Sequence, residues 1–120
     1  LNKYAIKVVA AIFAMVFGSS AFAGGDIENG KVLATKKYAC ASCHGADFNS
    51  PIDPSYPRLA GQHPDYLEHA LTAYKESTNP SIGRKNPIMV SQAAALSPQE
   101  IHDIAAYIGS LSGTLVTPRK

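Results

Sequence analysis

Charge is scarce in this sequence. Charged residues make up 17% of the 120, there is no tryptophan, and only two cysteines are present. So little charge excludes a nucleic-acid binder, which needs a basic stripe against phosphates. It also excludes a disordered chain, because 46% of the residues are hydrophobic and disorder goes with high charge and few apolar side chains. Two cysteines allow one disulfide, but Cys40 and Cys43 would close a tiny ring that restrains the unfolded chain very little. No internal repeat, low-complexity tract or linker is visible, and no segment alternates as a strand does. The expectation is an all-α fold in one domain.

The first 23 residues differ from the rest. Lys3 and Lys7 give a basic start, "VVAAIFAMVF" (8–17) is a run without charge, Gly18, Ser19 and Ser20 break it, and "AFA" follows. This is the pattern of a secretory signal peptide, with small side chains at Ala21 and Ala23 suiting cleavage after Ala23. The apolar run is shorter than the roughly 20 residues that span a bilayer, which disfavours an uncleaved anchor. The first residue is Leu rather than Met, as a non-standard start codon read literally would give. Lys3 and Lys7 fall in the leader and all nine acidic residues follow it, so residues 24–120 balance at nine charges of each sign. No global basic field remains to attract an acidic partner. An exported domain of under about 100 residues buries little surface by itself. Something other than the chain is expected to complete its core.

Within 24–120 the helix signals are uneven. Asp26 can cap a first helix over Ile27–Tyr38, with Gly30 inside it at a cost of about 1 kcal/mol relative to Ala. Residues 45–62, "GADFNSPIDPSYPRLAGQ", hold three prolines and no period. A stretch that long without structure is uncommon unless it has a task, and wrapping a cofactor is one. A second helix starts at Pro64 with Leu67, Ala70, Leu71 and Tyr74 on one face and fades by Ser77. After the turn-rich "TNPSIGRKNP" (78–87), a short helix over Ser91–Ala95 is expected. The last helix has the clearest start: Ser97 and Glu100 form a capping box with Pro98 in the first turn. Ile101, Ile104, Ala105, Ile108 and Leu111 then form a stripe, and Gly113 can end it. The fold predicted is three principal helices with long loops.

Both cysteines lie in "CASCH", residues 40–44. A redox dithiol needs a strand before the motif and a helix after it; here a helix precedes. A tetrahedral zinc site needs four ligands, and the chain offers no further cysteine and no paired histidines. The third chemistry is covalent haem attachment, of which C-x-x-C-H is the signature. Two thiols add across the two vinyl groups of one porphyrin edge, two intervening residues let both reach, and His44 then lies under the ring. Joined to an export signal, this reading is preferred: one haem c, covalent through Cys40 and Cys43, with His44 on the iron. Haem iron takes Met, His or nothing opposite the first histidine. Met89 is the one methionine after the leader and lies off any apolar stripe, so it is the candidate sixth ligand. His63, His69 and His102 are the rivals. Each reads as a cap or solvated residue.

Taken together, CxxCH after a Gly-containing helix, "YPRLAGQ", the "NPIM" loop and "LSPQEIHDIAAYIGSL" resemble a class I cytochrome c. "RLAGQHPDYLEHAL" and "NPIMVSQAAALSPQEIHDIAAYI" are similar to one domain of the cytochrome c4 group and its single-haem c553-like relatives. The resemblance implies the class I cytochrome c fold wrapped round one haem. It implies that the Pro57 carbonyl fixes the His44 ring, that Leu59 packs on the haem, and that Gly30 lets the first helix cross the last against Tyr107. A His/Met pair fills both axial positions, which points to a one-electron carrier and not an enzyme. Such a carrier would sit in the periplasm and take no small-molecule substrate. Its partners would be transient redox proteins, a membrane-bound oxidase or reductase among them. They would meet it at the haem edge, with Lys36, Lys37, Arg58, Arg84 and Lys85 as candidates to ring that edge. A dedicated subunit of a larger redox enzyme, and a haem sensor or enzyme with a labile Met89, are the alternatives.

Overall fold

Asp26 starts the first helix as expected: its carboxylate accepts from Asn29 N at 3.0 Å, satisfying one of the open donors of the turn. The computed structural model describes residues 24–116; the leader with its cut after Ala23, and residues 117–120, lie outside them. Helix α1 runs Ile27–Val32. It does not continue regularly to Tyr38. A π-helical turn, Leu33–Lys37, takes over, closed by Tyr38 N donating to Leu33 O at 2.9 Å. Thr35 Oγ1 donates to Lys31 O at 2.7 Å in this stretch, a side-chain bond of the kind that loosens a helix. α2 is a single turn, Ala41–His44. α3 spans Pro64–Lys75, α4 Pro87–Ala94 and α5 Pro98–Ser110. No strand occurs among the described residues.

The core forms where α1 crosses α5. A Cβ on Gly30 would lie 1.9 Å from Asp103 O and 2.8 Å from the Tyr107 Cβ, so only glycine lets the two backbones touch. This is the crossing the family resemblance implied. Asp103, 3% exposed, clasps it from the other side. Its carboxylate accepts from Asp26 N at 2.8 Å, Asn29 Nδ2 at 2.7 Å and Gln99 Nε2 at 2.9 Å. Burial pushes that carboxyl up, but the bonds from Asn29, Asp26 and Gln99 outweigh it and the net shift is downward. Ile101, Ile104, Ala105 and Ile108 are buried as their stripe predicts, and they share one cluster with Leu33, Ala34, Leu67 and Leu96.

Two further expectations need correction. α4 begins at Pro87, not Ser91, because Asn86 caps it: Oδ1 accepts from Ile88 N and Met89 N, both at 3.1 Å. α5 ends at Ser110, where Leu111 turns extended, before Gly113 is reached. The long segment after α2 is tied down through Phe48, fully buried and edge-on to Tyr107 at 6.0 Å and 88°.

Candidate functional site

The Cys40–His44 turn is bracketed by two left-handed residues. Ala39 has φ 50° and Gly45 φ 93°. Gly45 ends α2 and leaves no room for a Cβ, which would lie 2.3 Å from Ser50 O; glycine meets both demands at once. Within the turn His44 N and Cys43 N both donate to Cys40 O, at 3.1 and 3.2 Å. Residues three apart on a helical turn lie on one side of it, so the two cysteines share a face. Both thiols are free and half-buried. Burial pushes the Cys40 thiol up.

His44 is 6% exposed. Its Nδ1 lies 2.9 Å from Pro57 O. A carbonyl can only accept, so Nδ1 carries the proton and Nε2 is the nitrogen with a free lone pair. No hydrogen bond engages Nε2 among the described residues. The Tyr56 ring stands 6.3 Å from the imidazole, tilted 57°. The long loop supplies this support. Phe48 O accepts from Leu59 N at 2.8 Å and Ala60 N at 2.9 Å, and Ile52 N donates to Cys43 O at 3.1 Å. Pro57 is thereby held between two points anchored to the motif and the core. Leu59 is partly buried and packs against the core.

A second anchor precedes the motif. Glu100 accepts from Lys37 Nζ at 2.6 Å, Tyr38 OH at 2.8 Å and Ser97 N at 2.9 Å. Led by the Lys37 bond, these hold its carboxyl down at about 2. The sequence marks Glu100 as a capping residue; its grip on the segment entering Cys40 has no local signal. Phe48 and Tyr56 were likewise invisible to periodicity, because they lie in a stretch without one.

Met89 stands on a separate element, in the first turn of α4, and is half-buried. No hydrogen bond joins it to His44. The rival histidines lie elsewhere. His63 occupies the N-cap position of α3 without a side-chain cap bond. His69 is exposed on α3. His102 Nδ1 lies 2.9 Å from Glu68 Oε1, close enough for an ion pair but off the line of a hydrogen bond. The five candidate cations are unequal. Lys37 is engaged by Glu100, Arg58 reaches Thr114 Oγ1 at 3.3 Å, and Arg84 lies against Tyr66 and Tyr74. Lys36 and Lys85 are exposed.

This donor set fits a covalently held haem: two unpaired thiols on one face of a turn, and beside them a buried imidazole oriented through Nδ1. It does not fit zinc, since no group of three or more His, Cys, Asp or Glu side chains comes together among the described residues. A dithiol oxidoreductase site is not built either, because a helix, not a strand, leads into the motif.

Residues 27–112 match the family model described as cytochrome c. Cytochrome c4 of Stutzerimonas stutzeri is 37% identical over 112 residues, 90% of this chain and 51% of that protein. The cytochrome subunit of sulfide dehydrogenase of Chlorobaculum tepidum is 38% identical over 85 residues, 71% of this chain and 68% of the subunit. Among solved structures, reduced recombinant cytochrome c4 from Pseudomonas stutzeri superposes with a TM-score of 0.67 at 35% identity. The match covers 77% of this chain and 48% of that one. The chain thus spans about half the length of the c4 proteins it matches.

Proposed function

The chain belongs to the cytochrome c family, and from that premise we propose that it is a periplasmic carrier of single electrons, built on one haem held by Cys40 and Cys43 and ligated by His44 and Met89. The observation that carries the reading is His44: next to Cys43, buried, and oriented by the Pro57 carbonyl at 2.9 Å. When bound, the haem supplies a one-electron ferric/ferrous couple. The protein's work is to hold that couple steady. Pro57 fixes the tautomer and plane of the imidazole and raises its basicity. Met89 offers a soft thioether that favours the ferrous state and raises the potential. Leu59 and the apolar residues behind it exclude water, which disfavours the extra charge of the ferric state. With His44 and Met89 both holding the iron, no position on it would be left for a small substrate, and so the reading is carriage and not catalysis. Partners would meet the carrier through small, transient contacts.

The test is a redox titration followed by visible spectrum on the purified, haem-loaded protein. One c-type haem per chain and a single one-electron wave are expected, with a far-red charge-transfer band in the ferric form that disappears in Met89→Ala. Persistence of that band in Met89→Ala removes Met89 from the ligand set. A second reading is favoured by one observation, the match to a cytochrome subunit of sulfide dehydrogenase: the chain would serve one enzyme permanently. Gel filtration of a native extract separates the two, since a free carrier elutes alone as a small protein and a fixed subunit elutes with its enzyme.

A further inference from the structure

The helix that carries Met89 is poorly anchored by its own side chains. Of its eight residues only Ala93 is buried, and Ile88 beside Met89 is 49% exposed. Within the chain itself, burial of apolar surface therefore does little to fix where the helix begins. Its ends are held instead. At the C-terminal end Lys75 Nζ, from α3, donates to Ala94 O at 3.0 Å, a cation on the open carbonyls of the last turn. At the N-terminal end the tie is Arg84. Its backbone N donates to Ala73 O on α3 at 2.9 Å. Its guanidinium lies 5.6 Å from the Tyr66 ring centre and 5.5 Å from that of Tyr74, both on α3. Its Nη2 also reaches Tyr66 Oη at 3.3 Å. Two residues later Asn86 caps α4 and grips Met89 N.

We propose that Arg84 is a positioning residue for the sixth ligand: stacked against Tyr66 and Tyr74, it fixes the start of α4 to α3 and so holds Met89 where its sulfur can stay on the iron. The inference rests on the reading of Met89 as that ligand. A planar cation suits the role because it can meet two aromatic faces while donating along its edge. A lysine in its place keeps the charge but loses the plane. The guanidinium is thus engaged by its own fold, and the basic ring expected at the partner surface loses one of its members to a different task.

The test is displacement of Met89 by imidazole in the ferric, haem-loaded protein, followed by loss of the far-red band. In Arg84→Leu imidazole should bind more tightly by roughly fivefold or more, the scale that two cation–aromatic contacts allow. Arg84→Lys should fall between Arg84→Leu and the parent. A reduction potential lower than the parent's should accompany the weakened sulfur ligand. An imidazole affinity within about twofold of the parent in folded Arg84→Leu overturns the inference, even if its unfolding midpoint drops, because a merely structural arginine would change only the latter. Should Arg84→Leu not fold, Tyr66→Leu decides in its place. It removes a half-exposed ring and one of the two contacts, and a smaller rise in imidazole affinity is expected, with no rise overturning the proposal. The two readings fail separately: a parent whose band survives Met89→Ala refutes the ligand assignment and the inference with it, whereas a normal Met89→Ala with an unchanged Arg84→Leu refutes the role of Arg84 alone.

Discussion

Glu100 binds three donors from three directions, and its ionisation is therefore a test of the local geometry. Its carboxyl is held at about 2 against an ordinary value of 4.5. A carboxyl depressed in the folded state contributes stability above the ordinary value, and that contribution is lost as pH falls from 4.5 through about 2. An NMR titration of the side-chain carboxyl should place its midpoint near the lower figure; a midpoint at the ordinary value would mean that Lys37 and Tyr38 do not engage it. Gly30 gives the opposite kind of test, because nothing about it titrates. Gly30→Ala would gain helix propensity on an isolated helix. Here its methyl meets Asp103 O, and overpacking of that kind costs about 1–3 kcal/mol. A lowered midpoint in guanidinium unfolding is the expected outcome, and an unchanged or raised midpoint would mean that the crossing can open freely. Asp103→Ala should destabilise as well, since it removes the acceptor shared by Asp26 N, Asn29 Nδ2 and Gln99 Nε2, and each such hydrogen bond contributes about 0.5–1.5 kcal/mol.

Among the elements, α4 depends most on its cap. Asn86→Ala removes the acceptor for Ile88 N and Met89 N, and the loss of an N-cap costs about 1 kcal/mol. In a helix with one buried residue that cost falls on the first turn. The far-red band of the ferric protein should then vanish on heating well before the helical circular dichroism does. Coincident loss would mean that α4 melts only with the whole fold. The elements also show what the sequence could reveal. α5 was legible because its signals are local: a capping box, a first-turn proline and a stripe of Ile101, Ile104 and Ile108. The start of α4 was legible in principle, since Asn-Pro is a cap followed by a good first residue, but the loop-like composition of residues 78–87 hid it. The π turn was not legible, because it differs from an α-helix by one residue in hydrogen-bond spacing and not in composition. In the site, Cys40, Cys43 and His44 announce themselves by spacing alone. Pro57 was reached only through family resemblance, and Phe48 not at all. Pro57 works through its backbone carbonyl, which every residue has and no sequence displays, and Phe48 through its carbonyl and a ring buried from a loop that has no period.

At the scale of the whole molecule, charge sets how partners are met. Residues 24–120 carry nine charges of each sign. Lys37 is matched by Glu100 and Arg84 is committed to two tyrosines, leaving Lys36, Arg58 and Lys85 as the exposed cations of the five with no carboxylate partner among the described residues. Electron transfer to a partner should therefore slow only weakly as ionic strength rises. Stopped-flow rates across a salt series check this, and a steep fall would restore the basic ring. The clasp at the α1–α5 crossing bears on a different matter, the order in which the chain becomes available. Asp26 and Asp103 stand 77 positions apart, and a chain emerges N-terminal end first. The crossing cannot close until Asp103 has been delivered. Throughout that interval Cys40, Cys43 and His44 are already out while the helix that locks them in place is still to come. The fold thus leaves a waiting period in which the motif is bare, and any chemistry that needs both thiols unshielded has its opportunity then.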